Sequence, residues 1–126
     1  MSLPFVLQCD SSTKAFGAIL SQLDELGRER VIAYASKKLT KHESNYPVIE
    51  LEAAGISWAI QKFDQYLFGN FCRIYTDHRP LAYISKIAQK STRLAKYALI
   101  FQRYHIEIIY KKGSQNTNCD SLTRQE

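Results

Sequence analysis

The chain has 126 residues, 45% of them hydrophobic and 23% charged, the proportions of one globular domain long enough to bury a core. No run is long or apolar enough to span a bilayer, and Met1 opens directly onto Leu3-Pro4-Phe5-Val6-Leu7 with no basic leader or cleavage pattern, so neither a membrane protein nor an exported one is indicated. The 17 Lys and Arg against 12 Asp and Glu give a formal charge of +5, which is compatible with a polyanionic partner but common without one.

Pro4 to Asp10 is an apolar, partly β-branched run that predicts a buried strand. Ser11-Ser12-Thr13-Lys14 is turn-like, and Ala15 to Gln22 predicts a second strand. Leu23 to Arg30, with Gly27, is a polar hairpin, and Val31 to Ser36 is a third strand. Three strands so close in sequence favour an antiparallel meander. Pro47 to Leu67 is the strongest helix, because Ile49, Glu52, Ile56, Ala59 or Ile60, Phe63 and Leu67 recur at helical spacing. Pro47 suits its first turn, and Gly69 its stop. Phe71 to Asp77 follows as a short strand, then helices at Pro80 to Lys86 and Ser91 to Arg103, a last strand at His105 to Tyr110, and a short helix at Asn116 to Thr123. A strand reached through a helical crossover can lie parallel to the first. The expected fold is therefore α/β: a mixed sheet, part meander and part parallel, with helices on both faces. There is no internal repeat or linker, and the pattern of a single domain, 1–126, runs almost from end to end, as expected of a domain excised from a longer polypeptide.

Four carboxylates stand out. Asp10 and Asp77 each end an apolar strand, and sites in open α/β sheets form beyond the carboxyl ends of parallel strands. Glu52 lies on the apolar stripe of the long helix, where a charge is costly unless paired or bound to a metal. The competing explanation puts it on the helix rim beside a cation such as Lys62. Asp120 lies in the first turn of the last helix, a place acidic residues favour for the helix dipole alone. Carboxylates that converge repel one another unless divalent cations neutralise them, and hard cations take oxygen ligands while keeping waters for a phosphate substrate. Two such ions suit phosphodiester hydrolysis. No P-loop, GxSxG or HExxH is present to support another chemistry. The odd set Cys9, Cys72 and Cys119 has no CxxC or CxxxC spacing, which argues against a zinc site or disulfide framework and for a reduced, intracellular setting.

Six ordered segments resemble the ribonuclease H domain of a gypsy-type (metavirus) LTR retrotransposon reverse transcriptase. Cys9-Asp10-Ser11-Ser12 through Gly17-Ala18-Ile19-Leu20-Ser21-Gln22 is similar to the pattern DAS…GxGAVLxQ. Tyr34-Ala35-Ser36-Lys37-Lys38-Leu39-Thr40 with Glu43-Ser44-Asn45-Tyr46 is similar to YASRxLTxxExNY, and Glu50-Leu51-Glu52-Ala53 begins ExExLA. Tyr66-Leu67-Phe68-Gly69, Thr76-Asp77-His78-Arg79-Pro80-Leu81, and Tyr110 to Gly113 with Asn116 and Asp120-Ser121-Leu122-Thr123-Arg124 resemble YLxG, TDHxPL and YxPGxxNxxADALSR.

The resemblance implies a ribonuclease H-like fold with a five-stranded mixed sheet. It implies two Mg²⁺ or Mn²⁺ ions and no small-molecule cofactor. The activity implied is endonucleolytic cleavage of the RNA strand of RNA–DNA hybrids, leaving a 5′ phosphate and a 3′ hydroxyl. Its catalytic, metal-ligating carboxylates map to Asp10, Glu52, Asp77 and Asp120. Asp10 would bridge both ions, Asp120 complete the ion that activates water, and Glu52 and Asp77 complete the ion at the leaving 3′ oxygen. The domain would act beside an upstream polymerase and connection domain of the same polyprotein, intracellularly, in the cytoplasm or in retroelement particles.

Nucleic-acid contacts are expected from Ser11 and Ser12 with the backbone after Asp10, and from Lys37, Lys38, Lys41, Lys111 and Lys112. The cellular enzymes' loop histidine has no counterpart in Tyr110-Lys111-Lys112-Gly113-Ser114-Gln115, His105 falls inside the last strand, and His78 is expected to pack or hydrogen-bond beside Asp77. Ser11 and Ser121 replace the family's usual Ala. Lys86, Lys90, Arg93 and Lys96 fall in the region of the basic insertion that some ribonucleases H carry but are sparse, and a solvated helix face explains them equally well. The competing function is a non-catalytic scaffold, whose mark is loss of a carboxylate, or a domain active only with its polymerase. A nuclease of the same fold acting on DNA is a third reading.

Overall fold

The apolar run after Pro4 becomes β1, Phe5–Ser11, in the computed structural model, which describes residues 3–111, with Tyr83 by its backbone alone. β1 pairs antiparallel with β2, Ala15–Leu23, and β2 pairs antiparallel with β3, Glu29–Lys38. The hairpin between β2 and β3 is tied by Asp24, whose Oδ1 accepts from Leu26 N and Arg28 N at 2.9 Å each, and Gly27 supplies a φ of 80°. On its other side β1 runs parallel to β4, Cys72–Thr76, which is parallel in turn to β5, Ile106–Tyr110. The five strands lie in the order β3-β2-β1-β4-β5, so the expected meander and parallel pair share one mixed sheet.

The long helix is two pieces. α1 is Val48–Lys62 and α2 is Asp64–Leu67. At Phe63 the backbone leaves the helical region (φ −104°, ψ 23°), and Phe63 and Leu67 both turn into the core. Tyr66 packs edge-on against the rings of Phe5 and Phe63. Gly69, at φ 81°, ends the segment as its position predicts. α1 is buried continuously from Leu51 to Ser57. The small residues Ala53, Ala54 and Gly55 in that stretch let the helix axis lie close on the sheet.

The helix expected at Pro80 to Lys86 is a 3-10 turn, Arg79–Tyr83, followed by α3, Ile84–Ile87. A second 3-10 turn, Ala88–Lys90, leads to α4, Thr92–Phe101, capped by Ser91, whose Oγ accepts from Leu94 N at 3.0 Å. His105 precedes β5 rather than lying inside it. Phe5, Leu7 and Cys9 of β1, Ala18 and Leu20 of β2, and Cys72 and Ile74 of β4 form one core with Ile56, Ile60, Leu67, Leu81, Leu94 and Phe101 from the helical segments. Each of the buried Leu, Ile and Phe side chains contributes about 1.5–3 kcal/mol. The described helices thus cover one face of the sheet, and the helix expected at 116–123 lies outside the described residues. No helix among the described residues is long and apolar enough to cross a membrane.

Candidate metal centre

Asp10 is the last residue but one of β1, and Asp77 directly follows β4. Because these strands are parallel neighbours, their carboxyl ends reach the same sheet edge. Glu52 comes from α1, which packs over β1 and β2. One carboxylate oxygen from each of Asp10, Glu52 and Asp77 lies within 4.8 Å of the others. Burial is graded across the cluster: Glu52 is 9% exposed, Asp10 is half-buried and Asp77 is open to solvent. The centre is therefore approached from the Asp77 side.

The burial is electrostatically expensive. Removal from water, then the negative charges of Asp77 and Asp10, push the Glu52 carboxyl up to about 8. Ser11 opposes the shift through its nearby hydroxyl, although Ser11 Oγ is the one buried side-chain polar atom among the described residues without a hydrogen bond of good geometry. The hydroxyl lies close to Glu52 without a well-formed hydrogen bond to it. Ser11 N donates to Asp10 Oδ1 at 3.0 Å, and His78 N donates to the buried Thr76 Oγ1 at 3.1 Å, which fixes the chain on both sides of Asp77.

Three converging oxygen donors, with no nitrogen or sulfur ligand beside them among the described residues, suit a hard divalent cation such as Mg²⁺ or Mn²⁺ better than zinc. An orphaned hydroxyl at the same place is a further sign of a site that a bound cation would reorganise. Asp120 lies outside the described residues.

Glu50 and Glu52 are separated by their partners. Arg93 Nη1 of α4 donates to Glu50 Oε1 at 2.9 Å and lies 4.1 Å from the centroid of the Tyr46 ring. Glu50 ties two helices together, whereas Glu52 joins the aspartates and not Lys62. Arg93, read from sequence as one of a few sparse cations, is therefore a structural partner.

The residues expected to touch nucleic acid fall into distinct settings. Ser12 Oγ accepts from Lys14 N and Ala15 N at 3.1 and 3.0 Å and closes the β1–β2 turn. Ser11 Oγ is buried, and Ser11 N donates to Asp10 Oδ1. Lys37 is half-buried and pairs with Glu43 at 3.5 Å. Lys38 is exposed and lines a cleft of about 690 Å³ with Ser12, Lys14, Thr40, Lys41 and Ser44. Lys111 Nζ stands 3.9 Å from the centroid of the Tyr75 ring, and Lys112 lies outside the described residues. Sequence reasoning missed Lys14 as a member of the cleft, since it reads as a turn residue. It also missed Gly55, whose sign was a glycine inside a helix.

Residues 1–104 match the family described as an RNase H-like domain found in reverse transcriptase. The chain is 40% identical over 122 residues to the retrovirus-related Pol polyprotein from transposon opus of Drosophila melanogaster, covering 96% of this chain and 12% of that protein. It is 32% identical over 123 residues to the Pol polyprotein from transposon gypsy of the same organism, covering 97% and 11%. It thus spans about a tenth of the length of these curated relatives. Among solved structures, the RNase H domain of PFV superposes with a TM-score of 0.66 at 13% identity, covering 98% of this chain and 93% of that one. The foamy viral protease-reverse transcriptase in complex with an RNA/DNA hybrid gives 0.63 at 21% identity, covering 87% and 15%. At these identities the structures show the fold. With the sheet order, the carboxylate cluster and the matched residues in agreement, the chain belongs to the family of RNase H-like domains found in reverse transcriptases.

Proposed function

We propose that the chain is a metal-dependent ribonuclease H that hydrolyses the RNA strand of RNA–DNA hybrids, as one domain of an intracellular retroelement polyprotein with an upstream polymerase. The observation that carries this reading is the convergence of Asp10, Glu52 and Asp77 within 4.8 Å at the open end of two parallel strands. The domain, 1–126, would be cut from a chain of the kind its relatives represent.

Asp10, Glu52 and Asp77 would hold the divalent ions, with Asp120 as the fourth ligand the family pattern implies. When bound, two such ions activate a water and neutralise the leaving oxygen of a phosphodiester. Glu52 must give up its proton to act as a ligand, so binding of the first cation and ionisation of Glu52 are linked. Thr76 and the backbone of His78 hold the Asp77 turn still, which keeps an exposed ligand near its place.

Substrate recognition would rest on shape and phosphate contact. The cleft beside the β1–β2 turn offers Lys14, Lys38 and Lys41 with the hydroxyls of Ser12, Thr40 and Ser44, a lining suited to backbone phosphates. The hybrid in one structural relative, the foamy viral enzyme, supports the substrate class. The test is a panel of end-labelled duplexes with Mg²⁺ or Mn²⁺. RNA–DNA hybrid should be cut, and duplex DNA and duplex RNA spared. Cleavage of duplex DNA in preference to the hybrid would reject the assignment.

A further inference from the structure

Gly55 sits in the interior of α1, a position where glycine weakens a helix, and a specific neighbour explains it. A Cβ at residue 55 would collide with Ser11 Oγ and would stand 3.1 Å from Cδ1 of Phe16. Ser11 Oγ, which fills the space left by that missing Cβ, is buried without a hydrogen bond. Gly55 follows Glu52 by three residues, so the two share a helix face, and the Ser11 hydroxyl lies against that face. The same residue binds Asp10 through its backbone, Ser11 N to Asp10 Oδ1 at 3.0 Å. Ser11 therefore touches one carboxylate of the centre and adjoins a second.

We propose that Ser11 is a positioning residue of the metal centre: its hydroxyl, admitted by Gly55, donates to the Glu52 carboxylate and fixes its orientation once a divalent cation is bound. The inference rests on the metal-binding reading above. Without the cation the hydroxyl is an unsatisfied buried group, which costs stability. With the cation, Glu52 is a carboxylate and a charge-assisted acceptor. Ser11 would thus exchange stability of the empty domain for cation affinity, which filling space alone would not do.

The test is calorimetric titration of the 126-residue chain with Mg²⁺, paired with thermal melts in chelator. Ser11→Ala is expected to weaken Mg²⁺ binding about tenfold, as loss of a partner to a metal ligand does, and to melt above wild type in chelator. Gly55→Ala is expected to melt below wild type, and Ser11→Ala combined with it to recover most of that loss, because the hydroxyl in its way is gone. Ser11→Ala that binds Mg²⁺ as tightly as wild type, or that melts below wild type in chelator, overturns the proposal. A wild-type chain that takes up no Mg²⁺ overturns the metal-binding reading and this inference with it, whereas wild-type binding unchanged in Ser11→Ala overturns this inference alone.

Discussion

Arg93 of α4 donates to Glu50 of α1 at 2.9 Å, while Glu52, two residues further along the same helix, belongs to the Asp10–Asp77 cluster. The two glutamates should respond oppositely to neutralisation. Glu50→Gln removes half of a partly exposed ion pair, Arg93 being 42% exposed, so solvent screening keeps the loss of stability small. Mg²⁺ binding and hybrid cleavage should persist. Glu52→Gln should abolish both while the cation-free domain gains stability at neutral pH. Differential scanning calorimetry with a cleavage assay on both variants checks the pair.

Stability without cations should depend on pH through Glu52. Its folded-state carboxyl stands at about 8 against an ordinary 4.5. The folded chain therefore holds this proton more tightly than the unfolded chain. The stabilisation is fully present below about 4.5 and is lost as pH rises through about 8, by at most about 5 kcal/mol. Chemical denaturation in chelator from pH 5 to 9 should show the decline, and Glu52→Gln should flatten it. Mg²⁺ affinity should rise over the same interval, since the cation displaces the proton.

The cleft lysines should act through charge. Lys38→Ala or Lys41→Ala should weaken hybrid binding and reduce the slope of log affinity against log salt by about 1 each. Neither should change Mg²⁺ binding, because both line the cleft and lie outside the carboxylate cluster. Fluorescence anisotropy at several salt concentrations measures this.

Gly69 differs from Gly55 in its reason for being glycine. Nothing lies within 4 Å of a Cβ built there, but its φ is 81°. Gly69→Ala should cost about 1–2 kcal/mol through backbone strain, and Gly69→Asn less, because asparagine tolerates the left-handed region. Urea denaturation of the two variants distinguishes strain from packing.

The strands were legible because β1, β2 and β4 are apolar runs bounded by turn residues, and the paired strand ends led to Asp10 and Asp77. Glu52 was legible because a charge interrupted a helical stripe. The break at Phe63 was not, since Phe63 and Leu67 both keep the helical period while the backbone changes course between α1 and α2. β3 extends to Glu29 and Lys38 through polar residues that pair with β2 by backbone alone, beyond the apolar run that marked it. The pairing of Ser11 with Gly55 joins residues 44 positions apart in sequence, and no local pattern announces such a contact.

The most direct test of the account is hydrolysis of a hybrid carrying 5′-labelled RNA by the 126-residue chain in Mg²⁺ and in Mn²⁺, beside Asp10→Asn. The account predicts internal cuts in the RNA strand that leave 3′ hydroxyl and 5′ phosphate ends with the wild-type chain, and none with Asp10→Asn. An RNA strand left whole by the wild-type chain in both metals, or cut equally by Asp10→Asn, would contradict it.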